Sequence, residues 1–532
     1  MTRYSPTTGL TALALTGALV LAGCSADQDD AADPSVSGDR GIDAEHYVDQ
    51  YDERTDDDGA SYSGSAPTTA PSTATEDGSQ EPGLLDDNTF VDHGSSGFID
   101  TDEDPESTFA LDVDTGSYTV ARTLLDQGQQ VPAEAIRPEE WVNAFDYGDD
   151  GPTDADLAVT TETGDAPSLV DDTQLVRVAV SSRELTSEQR PRLNVTLVVD
   201  RSGSMDIRDR LGLVRSSLAL LANELRDDDV VSVVSFDDQA QSILPPTPVS
   251  ETEAILGAVD ELTPGNSTNL EAGIRLGYEQ ARDSFIDDGV NVVVLCSDGV
   301  ANVGTTGPDS IASRIAEEGA DGIHLVTVGF GMGNYNDFLM EQLADLGDGF
   351  YSYVDTFDEA ERLFGTELAT TMVPVASEAR SQVSFDPELV ESYRLIGYEN
   401  RAMADDDFED LSVDAGELGP GHHATALYEV SLADGVSPGE RIGSAAVRWL
   451  SADGTGEEDR SDIRAAVDAV PSRAFELAAA VADTAEVLKA AEPFADRDLG
   501  LAGLAERVQA LVEVGIPGAE ELRDQISAAM RA

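Results

Sequence analysis

Residues 193–205 read Leu-Asn-Val-Thr-Leu-Val-Val-Asp-Arg-Ser-Gly-Ser-Met. A short run this apolar, ended by a polar Ser-Gly-Ser turn, predicts a strand buried on both faces, as in a parallel sheet covered by helices. Working outward, similar runs recur at 230–236, 290–297 and 323–329, with a weaker one at 349–354. Between and after them, apolar residues at helical spacing predict helices over 211–225, 252–262, 270–285, 310–318, 336–346 and 357–368. The alternation predicts an α/β domain over 191–372, a doubly wound, mostly parallel, Rossmann-like sheet.

Asp200, Ser202 and Ser204 share the loop that leaves the first strand. Thr268 lies in the turn-rich Pro-Gly-Asn-Ser-Thr-Asn segment that starts a helix, and Asp298 follows the strand ending in Cys-Ser. In a doubly wound sheet such loops converge on the carboxyl rim, where ligands of open α/β sheets bind. Five oxygen-bearing side chains with no nearby His or Cys suit a hard cation, Mg2+ before Ca2+ or Mn2+, and disfavour zinc.

These residues resemble the von Willebrand factor type A domain, whose metal-ion-dependent adhesion site uses Asp-x-Ser-x-Ser, a separate Thr and a separate Asp. All five positions match. The segments STFALDVDTGSY, LNVTLVVDRSGSM, RLIGYENR and GHHATALYEV extend the resemblance over 106–526, to bacterial lipoproteins with an N-terminal companion domain and a dedicated C-terminal domain. Such proteins are often labelled calcium-activated chloride channel homologues, but beyond the leader no run of 18 apolar residues exists to build a pore of helices. The resemblance implies that Ser202, Ser204 and Thr268 bind the metal directly while Asp200 and Asp298 act largely through water. With few anionic ligands the ion stays electrophilic, and a partner's Asp or Glu completes its shell. It also implies a shift of the last helix, 357–368, with occupancy. One departure is Gly299-Val300-Ala301, where the family has a bulkier or acidic stretch.

The 105 acidic and 31 basic residues give a formal charge of -74, which repels nucleic acid and anionic lipid. Lys489 is the single lysine, a composition that suits concentrated salt and equally fits a simple solubility bias. A metal–carboxylate bond survives this charge because surface repulsion is screened within about 8 Å at physiological salt, whereas the bond forms at contact. Enzyme activity is not expected: neither His-Glu-x-x-His nor Gly-x-Ser-x-Gly occurs, and the Gly-rich turns lack a phosphate-loop lysine.

Residues 1–23 read as a lipoprotein signal peptide: a basic start, an apolar run of about a dozen residues, then Leu-Ala-Gly before Cys24, the expected site of lipidation. The mature protein is thus expected on the cell membrane, lipid-anchored, with its folded part outside the cytoplasm. Residues 24–104 read as an acidic disordered tether. Then follow a companion α+β domain (105–190), the type A domain (191–372), a β-rich C-terminal domain (373–470) and C-terminal helices (471–532). Strand-rich segments on both sides of the α/β domain suggest that it is inserted into a β-sandwich made by its flanks. His422-His423 does not read as a metal site, since neighbouring strand side chains point to opposite faces. Trp141, Trp449 and Cys296 read as core.

The expected function is metal-dependent binding of a protein partner through its Asp or Glu. The alternative is a structural or chaperone-like cell-envelope component whose metal mainly stabilises the fold.

Overall fold

The strand–helix alternation of residues 193–368 closes into one sheet, and the flanking segments build β-structure of their own. The computed structural model describes residues 40–51, 90–91, 93–111, 113–165, 173–186, 189–265, 267–299, 308–320, 322–331, 336–368, 372–452, 454–467, 470–490 and 500–532. The first elements are α1 (Glu45–Asp49), β1 (Ile99–Asp100), β2 (Glu106–Ala110), α2 (Gly116–Asp126), α3 (Pro138–Asn143), β3 (Leu157–Gly164) and β4 (Thr173–Ser182). The central set is β5 (Leu193–Asp200), α4 (Leu213–Glu224), β6 (Val230–Phe236), β7 (Ala240–Pro248), α5 (Thr252–Glu261), α6 (Leu270–Asp283), β8 (Val290–Ser297), α7 (Pro308–Ala320), β9 (Ile323–Phe330), α8 (Asp337–Asp345), β10 (Tyr351–Val354) and α9 (Phe357–Arg362). After these come β11 (Ala376–Phe385), β12 (Val390–Ile396), β13 (Ala402–Met403), β14 (Gly416–Leu418), β15 (His423–Leu432), β16 (Arg441–Ser451) and β17 (Gly456–Arg464). Three helices end the chain: α10 (Arg473–Lys489), α11 (Leu501–Glu513) and α12 (Ala519–Ala529).

The central sheet has the order β10-β9-β8-β5-β6-β7, parallel except for β7. Every residue of β5 is buried, as expected of a strand covered on both faces. Val195, Leu197 and Val199 pack with Leu218, Leu221 and Ile255 on one face. Val198 joins Ile274, Tyr278 and Met340 on the other, where Val120 and Leu124 of α2 also dock. Pro245 and Pro246 sit in β7, the edge strand, where a missing N–H interrupts no interior ladder.

The flanks build two sheets jointly, β1-β12-β15-β4-β3 and β13-β2-β11-β16-β17, with β14 on β11. β4 pairs antiparallel with β15, and β2 with β11, so each sheet mixes strands from before and after the central domain. Phe109, Val178, Tyr393, Tyr428 and Trp449 share the core between them. As the strand-rich flanks suggested, the companion region (105–190) and the β-rich region (373–470) build one β-sandwich around the inserted central domain, so their division into two domains does not hold: neither has a complete sheet alone. The C-terminal helices likewise share a core with the N-terminal flank: Trp141 and Tyr118 pack with Phe475, Leu504 and Ile526.

A second correction concerns part of the expected tether, 24–104, of which residues 24–39 and 52–89 lie outside the described residues. Residues 40–51 are folded onto the central domain. Val48 is buried in its core, the Arg40 guanidinium donates to the carbonyls of Ala222, Asn223 and Leu225 at the end of α4, and Tyr51 donates to Asp206 at 3.0 Å. Arg40 thereby satisfies carbonyls that a helix terminus leaves without partners. β1 within the same range pairs with β12. Residues 1–39, including the expected signal peptide and Cys24, lie outside the described residues. Among the described residues no helix is long and apolar enough to cross a membrane.

Candidate metal centre

Asp200 ends β5 and is buried. One of its carboxylate oxygens accepts the backbone N–H of Ser202 at 2.8 Å, a local turn bond that short acidic side chains make readily. Its other oxygen accepts the Ser297 hydroxyl, also at 2.8 Å. Ser297 is the last residue of β8, and its hydroxyl in turn accepts Gly299 N–H at 3.1 Å. Two adjacent parallel strands thus orient one carboxylate. The next turn, Gly203–Met205, brings the Ser202 and Ser204 hydroxyls within 3.0 Å of each other.

Asp298, fully buried, follows β8 and accepts Arg210 Nη1 at 2.8 Å. The same nitrogen donates to the Ser204 carbonyl at 2.8 Å. Arg210 lies in a single wide turn, Arg208–Gly212, that leads into α4. Its shank passes over Gly331, just beyond β9, where a Cβ would run into Arg210 Cγ and Nε, and where φ is +77°. Glycine is needed there on both counts.

Thr268 is buried in the loop between α5 and α6. That loop is held against the first one: Gly265 N–H donates to the Arg201 carbonyl, Asn269 N–H donates to the Asp237 carbonyl at 2.6 Å, and Arg201 pairs with Asp237 at 2.8 Å. Asn269 also caps α6 by accepting Ala272 N–H. The bonds among the 200–204, 263–269 and 297–299 segments thus bring all five expected site residues to the carboxyl rim of the sheet.

Burial, and then the charge of Asp298, push the Asp200 carboxyl up to about 7, against hydrogen bonds from Ser202 and Ser297 that favour the carboxylate. Two buried carboxylates, Asp200 and Asp298, beside two clustered hydroxyls form an all-oxygen donor set that a hard cation fits. Among the described residues no group of three or more His, Cys, Asp and Glu is arranged to hold a metal; the rim combines two carboxylates with hydroxyls instead.

Of the remaining expectations, Trp141 and Trp449 are core residues. Cys296 is a buried free thiol pushed up by burial. His423 meets Ser181 at 3.1 Å, and the His422 backbone N–H donates to Ser182. Residues 300–307, which include most of the departure after Asp298, lie outside the described residues. Sequence reasoning missed Ser297, Arg210 and Gly331. Ser297 adjoins Asp298 and was open to recognition as a strand-end hydroxyl. Arg210 and Gly331 are visible only once three loops are folded together.

The model for the von Willebrand factor type A domain matches residues 194–366, one for von Willebrand factor matches 85–177, and one described as Uncharacterized protein YfbK, C-terminal, matches 370–461. The chain is 38% identical over 344 residues to the Escherichia coli protein "Uncharacterized protein YfbK", covering 62% of this chain and 59% of that one. It is 30% identical over 211 residues to an uncharacterized Synechocystis protein, covering 40% of this chain and 49% of that one. The match thus spans under two thirds of each relative's length. Among solved structures, a von Willebrand factor type A protein from Catenulispora acidiphila aligns at TM-score 0.41 and 14% identity, over 73% of this chain and 87% of that one.

Proposed function

We propose that this chain, which contains a von Willebrand factor type A domain and is related to YfbK through a shared C-terminal domain, binds a protein partner through a divalent cation at its sheet rim. The observation that carries the reading is the convergence of Asp200, the Ser202–Ser204 hydroxyl pair and Asp298 at the ends of two adjacent parallel strands. Ser202, Ser204 and Thr268 would hold the cation directly, with Asp200 and Asp298 behind them. Mg2+ fits this oxygen set first, with Ca2+ or Mn2+ as substitutes. When bound, the cation supplies an electrophilic position that an Asp or Glu of the partner completes. The chain's own residues do the positioning: Ser297 and the Ser202 N–H fix Asp200, and Arg201 with Asp237 fixes the loop of Thr268. We assign no catalysis to the site.

In this reading Cys24 carries the lipid that holds the protein on the cell membrane, with its folded part outside the cytoplasm. A second reading, a structural assembly role with the cation mainly stabilising the fold, draws on the ion pairs that tie the central domain to its flanks. Arg137 meets Asp337 at 2.7 Å, Arg122 meets Asp355 at 2.7 Å, and Arg401 meets Asp345 at 3.0 Å.

The deciding experiment is a crosslinking pull-down from cells bearing the full chain, with and without chelator, repeated for Ser204→Ala. Loss of partners with an unchanged metal-free melting temperature is the expected result. Loss of stability with partners retained in the folded fraction supports the structural role instead, and partner capture indifferent to chelator defeats the metal-dependent reading.

A further inference from the structure

The rim carries a charged residue that neither the motif nor the comparisons assign. Arg210 is buried, donates to Asp298 Oδ2 and to the Ser204 carbonyl at 2.8 Å each, and runs over a glycine that leaves it room. Its side chain is 5% exposed and that of Asp298 is 0%. A buried carboxylate beside a guanidinium is compensated, whereas Asp200 is held by hydroxyl and amide donors, which are neutral. The two aspartates are therefore not equivalent. One is already paired to a permanent cation, and the other is left to attract the metal.

We propose that Arg210 is a positioning residue that sets the charge of the metal rim. It compensates Asp298 and fixes the Ser204 backbone, so that an incoming divalent ion meets the net charge of Asp200 alone. The consequence has two sides. A bare cation is held less tightly than two free carboxylates would hold it, and a held cation keeps more positive charge for an external carboxylate. This inference rests on the metal-dependent reading given above. It adds that affinity for the ion is deliberately moderate, and that the residue moderating it comes from outside the five-residue motif.

The test uses the full chain and Mn2+ alone, titrated by calorimetry and by the water-proton relaxation of the bound ion, with acetate as a carboxylate probe. Arg210→Gln removes the charge and keeps a polar side chain. Its Mn2+ affinity is expected to rise at least about tenfold, since a positive charge has left a buried site close to a dication. Its acetate response is expected to weaken. Arg210→Lys retains the charge and stays within about threefold of the parent.

Arg210→Gln leaves Asp298 buried without its partner, so it can be unstable without metal. Chelator competition started from the Mn2+-loaded chain reads the affinity of this variant even where its metal-free form unfolds. Mn2+ affinity of Arg210→Gln equal to or below that of the parent overturns the proposal. A parent chain that binds no Mn2+ defeats the metal-dependent reading itself, a different result from an ion-binding parent that the Arg210 variants leave unchanged.

Discussion

Arg137, the residue that leads into α3, meets Asp337, the first residue of α8, at 2.7 Å, with side-chain exposures of 4% and 2%. The same guanidinium also meets Glu140 and lies 3.7 Å from Glu341, while Tyr351 donates to Asp337. One flank helix is thus tied to the central domain close to the rim, since a Cβ on Gly299 would lie within 2.9 Å of Asn336 N, one residue before α8. Arg137→Met strands several buried carboxylates, and a loss of ~3–5 kcal/mol in denaturant unfolding is expected. A loss under ~1 kcal/mol, the range of an exposed pair, contradicts this account.

Metal addition should stabilise the chain in proportion to occupancy. At Mg2+ concentrations one hundred times the dissociation constant the gain is about 2.7 kcal/mol, visible as a rise in melting temperature that chelator abolishes. Ser204→Ala and Asp200→Asn are expected to abolish that rise while changing the metal-free melting temperature little. An equal rise in parent and variants would place the ion elsewhere.

Residues 40–51 should act as a brace on α4. Arg40→Ala removes donors to three carbonyls and Val48→Ala a buried side chain. Together they are expected to cost about 2–4 kcal/mol. Hydrogen exchange of α4 amides should speed up while the amides of β15 and β16 keep their protection. Unchanged exchange in α4 would show that the segment lies on the surface without bracing it.

Acidification should favour one region. Burial and neighbouring Asp348, Asp414 and Glu378 raise the Glu417 carboxyl well above the usual range, and Asp348, Asp414 and Glu378 are themselves raised, burial first in each case. A carboxyl raised in the folded state contributes stability that is complete below its unfolded value, near 4, and is lost as pH rises through the folded value. Glu417→Gln is therefore expected to raise the melting temperature at pH 7 and to flatten its dependence between pH 5 and 7, with the same direction of effect from added salt. A lower melting temperature at pH 7 contradicts the sign.

The central sheet was legible because strands buried on both faces leave near-continuous apolar runs, as in β5 and β8. β7 escaped because Pro245 and Pro246 argue against a strand, and only its edge position tolerates them. α1 escaped for another reason: five residues within an acidic stretch carry too little periodicity, and the surface that buries Val48 lies more than 150 residues away, in α4. The motif residues could be picked out by type and spacing. Arg210 could not, because its meaning depends on Asp298 and on the bare backbone of Gly331.

The central domain leaves the sandwich after β4 and returns at β11, strands of different sheets, each with a hydrogen-bonded neighbour on both sides. Force applied at the carboxyl rim reaches both sheets in parallel. Along either strand it acts in shear, loading many ladder bonds at once rather than peeling them singly from an edge. The architecture is therefore a mechanical splice: under tension the two sheets share the load, and the central domain stays attached as long as those ladders hold.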